Sequence, residues 1–195
     1  MTRFAMVFSL FIFSFTTPCL AQEIPEWEFF GGYSFQRSDV REYFKSSPII
    51  YTFRGKYASL SGWDASVTEN LNRWFGGTLD ISGHYKTPQL LGTANRERML
   101  SLLYGPRFSY RKPSVIFFTH VLMGAAHLNV QVTPVGPHAS NLSFATATGG
   151  GVDEKLGKMT ALRFQAEYFR THPLGTRSDG YRMSAGIILY LGERK

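Results

Sequence analysis

Cysteine is all but missing from this chain. The 195-residue sequence holds a single one, Cys19, inside an N-terminal stretch with the character of a secretory signal. Disulfides, thiolate metal sites and cysteine nucleophiles are therefore excluded from the exported remainder. Long hydrophobic runs are lacking too. The most apolar, Val115 to Leu128, is about fourteen residues long and is broken by Thr119, His120 and His127, short of the ~20 a membrane-crossing helix needs. A membrane crossing, if there is one, must use strands, whose alternating pattern is hidden from a window average; the mean hydropathy of −0.13 does not oppose it. Proline is nearly absent from the patterned segments, and the exception, Pro106, is expected at an edge of pairing or a bulge.

Arg3, the apolar stretch Phe4 to Phe15 and the A-x-A-like site Cys19-Leu20-Ala21 define a signal peptide over residues 1–21. Residues 22–195 then form one domain. Lipid attachment at Cys19 is disfavoured by Thr16-Thr17-Pro18 before it. The formal charge of +7 becomes +6 on removal of Arg3, the only charged residue of the signal, a modest excess suited to anionic surfaces or plain solubility.

What the sequence has in abundance is strict two-residue alternation. From Phe75 to Tyr85 the odd positions read Phe, Gly, Leu, Ile, Gly, Tyr and the even ones Gly, Thr, Asp, Ser, His. From Ala161 to Phe169, Leu162, Phe164, Ala166 and Tyr168 oppose Arg163, Gln165 and Glu167. Eight such segments occur: Trp27–Gln36, Ser59–Glu69, Trp74–Tyr85, Met99–Tyr110, Ser114–Asn129, Asn141–Asp153, Met159–Arg170 and Tyr181–Leu191. Each suits a tilted strand crossing hydrocarbon in ~9–11 residues with some overhang. Their connections alternate between short (70–73, 111–113, 154–158) and long (37–58, 86–98, 130–140, 171–180). Short turns on one side and long loops on the other are the pattern of a closed antiparallel eight-stranded transmembrane β-barrel, with turns in the periplasm and loops outside.

A soluble sandwich or lipocalin could show the same alternation, so the direction of the apolar face decides. One face carries Trp27, Phe29, Tyr33, Phe35, Trp63, Leu79, Ile81, Tyr104, Phe108, Ile187 and Leu189; the other carries Gly, Ala, Ser and charge. Small and charged residues suit a narrow lumen, and large apolar ones suit lipid. Trp27, Trp74, Tyr85, Tyr110, Tyr168, Tyr181 and Tyr190, near segment ends, are expected to form interfacial girdles. The phase of 114–129 is ambiguous.

The pieces Gly62-Trp63-Asp64-Ala65-Ser66-Val67, Asn72-Arg73-Trp74-Phe75-Gly76, Gly105-Pro106-Arg107-Phe108-Ser109-Tyr110 and Arg182-Met183-Ser184-Ala185-Gly186-Ile187, in this order and spacing, resemble the bacterial outer-membrane β-barrel family of the OmpA transmembrane domain and OmpX. The resemblance covers nearly all of 22–195. It implies an eight-stranded barrel in the cell outer membrane, with roles from structural anchoring to adhesion.

The same phase puts Glu28, Asp64, Asp80, Asp153 and Glu167 in one lumen with Arg107, Arg163 and Arg182. A lone buried charge costs several kcal/mol, so these groups should form a paired network filling the barrel, Arg107 at its centre; a gated ion path is the alternative. Lipid-modifying chemistry would need His84, with Ser82 and Asp80 on its face, as a base. Neighbours two residues apart on a strand are ~7 Å apart, too far for a nucleophile–base contact. His120 and His127 are too distant for a metal, and Gly149-Gly150-Gly151 lacks the helix and lysine of a phosphate loop. No catalytic residue, metal or cofactor is expected. The long connections carry Arg41, Lys45, Arg54, Lys56, Lys86, Arg96 and Arg98 beside aromatics, suited to lipopolysaccharide phosphates, a host polyanion or a protein partner. Nucleic acid is disfavoured. The expected partners are outer-membrane lipid and lipopolysaccharide, barrel-assembly machinery and periplasmic chaperones, with the protein a monomer. A structural or surface-interaction role leads, ahead of a lipid A enzyme, a narrow pore or a soluble lipid carrier.

Overall fold

The computed structural model describes residues 24–44, 51–86, 89–90, 93–132, 138–172 and 177–194. The expected signal peptide (1–21) and Lys45 lie outside them. The strands are β1 (Trp27–Phe44), β2 (Tyr51–Asn70), β3 (Phe75–Lys86), β4 (Gln89–Leu90), β5 (Thr93–Arg111), β6 (Val115–Val132), β7 (His138–Lys155), β8 (Thr160–Thr171) and β9 (Ser178–Leu191). Strand β4 is a two-residue extension pairing only with β5. The other eight pair with their chain neighbours, and β1 pairs with β9 antiparallel from Trp27↔Leu191 to Ser38↔Gly180, which closes the sheet into a barrel without an edge.

Polarity decides which way the wall faces. Tyr33 is 59 % exposed, Leu142 71 % and Phe144 55 %, whereas Glu28, Asp64, Asp153 and Arg182 are buried at 1 % or less. A soluble barrel would reverse this arrangement, because water pays no penalty to solvate charge and a large one to solvate hydrocarbon. The apolar girth has the right height. Ten residues separate Trp27 from Arg37 on β1, which is ~33 Å of strand and, at a tilt of ~40°, ~25 Å of membrane. Trp27, Trp74 and Tyr110 sit exposed at the turn end and Tyr85 and Tyr181 at the loop end, with Tyr168 half-buried beside Tyr181.

Tyr190 is a correction. It shares parity with Arg182, Ser184 and Ile188, so it faces the interior at 6 % exposure and belongs to no girdle. The ambiguous strand resolves with Ile116, Phe118, His120, Leu122 and Ala126 inward and Phe117, Val121 and Met123 outward. The long connections are shorter than expected: β1 and β2 stay paired to Phe44↔Tyr51, with an irregularity between Val40 and Glu42, so Arg41, Arg54 and Lys56 fall on strands. Arg96 falls on β5. The β1–β2 ladder there is held by backbone hydrogen bonds, which do not depend on side-chain alternation. At Gly105-Pro106 the β5–β6 pairing lapses and resumes in the same register (Tyr104↔Met123, Arg107↔His120). Pro106 lacks the N–H a ladder bond needs, and the result is a gap rather than a bulge.

Candidate functional site: the barrel interior

Two polar networks fill the lumen. Near the turn end, Glu28 is the hub. Its carboxylate lies 3.0 Å from Arg107, 2.9 Å from Arg111 and 3.1 Å from Arg163, and Asn70 Nδ2 donates to it at 3.0 Å. Asp153 accepts from Arg107 Nη2 at 3.0 Å and from Arg163 Nε at 2.7 Å and Nη2 at 2.8 Å. The last two form a bidentate fork, the geometry in which a planar guanidinium binds a carboxylate best. Arg107 and Arg163 both stack on the inward ring of Phe118, at 4.0 and 4.5 Å from its centroid, a cation–π contact strengthened by burial of both guanidiniums. Arg111 also donates to Asn70 Oδ1 at 2.7 Å and to the Arg73 carbonyl at 3.2 Å.

The second network lies toward the loop end around Arg182, which pairs with Glu167 through Nε, with Asp80 at 2.9 Å and with the Ser82 hydroxyl at 2.7 Å. His120 Nε2 reaches Glu167 at 2.6 Å. The two stand on β6 and β8, with Gly149 of β7 between them in register. A Cβ at Gly149 would lie 2.9 Å from Glu167 Cγ and 2.2 Å from the Ala166 carbonyl, so the imidazole and carboxylate meet only because that position is bare. Gly62 does the same for His84 and Ser34, which flank it in register and lie 2.9 Å apart. Asp64 accepts from Ser184 at 2.6 Å and Gln165 at 2.9 Å, and Ser82 and Ser101 pair at 2.7 Å.

Apolar clusters share the interior with both networks. Met99, Leu103, Leu122, Ala126, Ala145, Ala147 and Phe169 pack together on the loop side, and Phe30, Ile116, Ala161, Ile188 and Tyr190 on the turn side. The interior is thus filled by side chains, with polar pairs and apolar clusters side by side.

All eight charged residues expected in the lumen are there: Glu28, Arg107, Asp153 and Arg163 in one group, and Asp64, Asp80, Glu167 and Arg182 in the other. They form two networks, and Arg107 is central to the first only. Arg111, His120, His84 and Asn70 were not anticipated as members, nor were the inward apolar residues. Parity alone identifies most of them, since Arg111 shares it with Arg107, and Phe30 with Glu28. His84 touches neither Ser82 nor Asp80. Its partner is Ser34, with both side chains fully buried and no acid at His84 Nδ1. A base needs an orienting partner and a substrate route, and this pair has neither. No cluster of three or more potential metal ligands occurs among the described residues.

No family model matches the chain, and no curated protein matches it. Solved structures do. Neisserial surface protein A superposes with a TM-score of 0.64 at 13 % identity, covering 85 % of this chain and 97 % of that one. Ail, the attachment invasion locus protein of Yersinia pestis, gives 0.58 at 16 %, covering 85 % and 99 %, and in complex with the heparin analogue sucrose octasulfate 0.56 at 16 %, with the same coverage. At such identities the likeness speaks for architecture, and with the inverted polarity of wall and lumen it establishes a closed eight-stranded antiparallel transmembrane barrel with the fold of these proteins.

Proposed function

We propose that the protein is an integral barrel of the cell outer membrane, exported by the 1–21 signal peptide, that serves a structural or surface-interaction role in envelope integrity or adhesion and performs no catalysis. The observation that carries this is the pairing of an apolar outer wall with a buried interior filled by ion pairs and apolar clusters. Such a body is a rigid peg. Its free chemistry lies in the strands and loops beyond the hydrocarbon, where 37–58 and 86–98 place cations beside aromatics. Ail binds the heparin analogue sucrose octasulfate, and a surface ligand of polyanionic chemistry suits this chain's loops for the same electrostatic reason. Lipopolysaccharide and outer-membrane lipid are its surroundings, barrel-assembly machinery and periplasmic chaperones its route there, and a monomer its state.

The test is envelope fractionation followed by unboiled and boiled gel electrophoresis. The expected result is a detergent-requiring species whose mobility changes on boiling; a chain released without detergent overturns the proposal. An ion path is disfavoured by the two apolar clusters, and lipid chemistry by the sealed, unoriented His84–Ser34 pair.

A further inference from the structure

We propose that the outer wall of β1, β8 and β9 at the loop end carries a binding site for the phosphate of an outer-leaflet saccharolipid. The inference rests on the outer-membrane reading and adds a ligand group and its residues. On this wall Arg170 Nε donates to Asp179 Oδ1 at 2.8 Å and Arg177 Nε to Asp179 Oδ2 at 2.7 Å. Two guanidiniums share one carboxylate, so the group keeps a positive surplus, and each planar fork retains donors that Asp179 does not use. The side chains are 34 % and 54 % exposed. The Arg170 guanidinium lies 5.4 Å from the Tyr168 ring, which meets Tyr181 edge-on at 5.7 Å. Arg37 adjoins Tyr181 in register and is exposed.

Placement argues for a lipid over a soluble anion. Along the hydrogen-bonded rows, Arg37, Tyr181 and Tyr168 follow one another across three strands. The next outward row toward the turns is Phe35, Met183 and Ala166, which is apolar. The cations therefore begin where the apolar belt ends, at the depth of a lipid phosphate, and they stand on the barrel's flank rather than in its mouth. Arginine's fork matches phosphate oxygens, and the Tyr168 hydroxyl, which accepts from Arg170 Nη2 at 3.4 Å, braces that guanidinium at the belt's edge.

The experiment uses the refolded protein in detergent micelles at fixed salt, titrated with diphosphoryl lipid A and, in parallel, with lipid A stripped of both phosphates. The wild type should bind the phosphorylated form at least about tenfold more tightly, as one or two charge-assisted hydrogen bonds would give. Arg170→Gln with Arg177→Gln should abolish the preference, and Lys158→Gln on a turn should leave it unchanged. Asp179→Asn, which removes the competing carboxylate, should tighten binding; a gain cannot arise from misfolding. Equal affinity for both lipids, or weaker binding by Asp179→Asn, overturns the site. Failure of the wild type to fold into micelles with heat-modifiable mobility would instead overturn the outer-membrane reading beneath it.

Discussion

Replacing Glu28 with glutamine removes one negative charge from a closed space while leaving its shape nearly intact. The carboxylate is the common partner of Arg107, Arg111 and Arg163 at 3.0, 2.9 and 3.1 Å, and among the described residues Asp153 is the other acid of that network. Before the change three guanidiniums face two carboxylates; afterwards three face one, and the surplus rises from one positive charge to two. Breaking a buried pair by removing one partner costs ~3–5 kcal/mol, because the abandoned charge stays dehydrated. Glu28 serves three partners, so the upper part of that range is expected. Arg111→Gln is the contrasting variant. It removes the surplus charge instead of enlarging it, and Arg111 sits nearest the turns, with its Nε on the Arg73 carbonyl, so its loss should cost ~1 kcal/mol, near that of one hydrogen bond. Reversible urea unfolding from lipid vesicles, followed by tryptophan fluorescence, measures both, with an unchanged denaturant slope as the sign that the end states are preserved. Equal costs for the two variants, or a Glu28→Gln loss below ~1 kcal/mol, would refute the view that Glu28 holds the cations together.

Arg107→Ala should lower the thermal transition of the folded barrel and cost ~2–4 kcal/mol, less than Glu28→Gln because Arg163 still serves both acids; an unchanged transition counts against its place in the network. Tyr190→Phe should be neutral or slightly stabilising, since the buried hydroxyl has no partner among the described residues, and a cost above ~1 kcal/mol in the same urea assay would contradict that. Gly149→Ala sets a methyl 2.2 Å from the Ala166 carbonyl and should destabilise by ~3 kcal/mol or more, read as loss of the heat-modifiable band. His84→Ala should leave lipid A acyl chains as the wild type leaves them, untouched by mass spectrometry.

The architecture was legible because a membrane barrel writes its solvent into every second residue. Leu79 and Ile81 against Thr78, Asp80 and Ser82 fixed the phase of β3, and the same rule on β9 placed Arg182 inside. It failed where chemistry and parity disagreed. Tyr190 looked like an interfacial phenol by its type and terminal position, yet its neighbours at 184 and 188 point inward, and it covers part of the turn-side apolar cluster. Strand ends were misplaced at the loop side because alternation reports burial, whereas the β1–β2 ladder up to Phe44↔Tyr51 is held by backbone hydrogen bonds indifferent to side-chain type. The pairing within the lumen was out of reach: Glu28 and Arg163 are 135 positions apart, and which cation meets which acid depends on shear and on the bare positions at Gly62 and Gly149.

Those two glycines bear on why the interior can be polar and solid at once. In a barrel of eight strands, inward side chains from every wall converge on a narrow axis, and side chains of uniform size would either collide or leave voids. Bare positions between His84 and Ser34 and between His120 and Glu167 let long polar groups lie across a neighbouring strand and find partners there. Each charge so placed is held by several strands: Glu28 on β1 is bound by cations from β5 and β8, and Arg182 on β9 by acids from β8 and β3. Cross-links of this kind resist shear between strands more than an apolar filling of equal volume, because sliding by one register would strand a buried charge rather than exchange one methyl contact for another. Resistance to slippage at the lumen also fixes the register in which β1 and β2 stay paired out to Phe44↔Tyr51, since both strands are tied through Glu28 and Asp64 to partners on other strands.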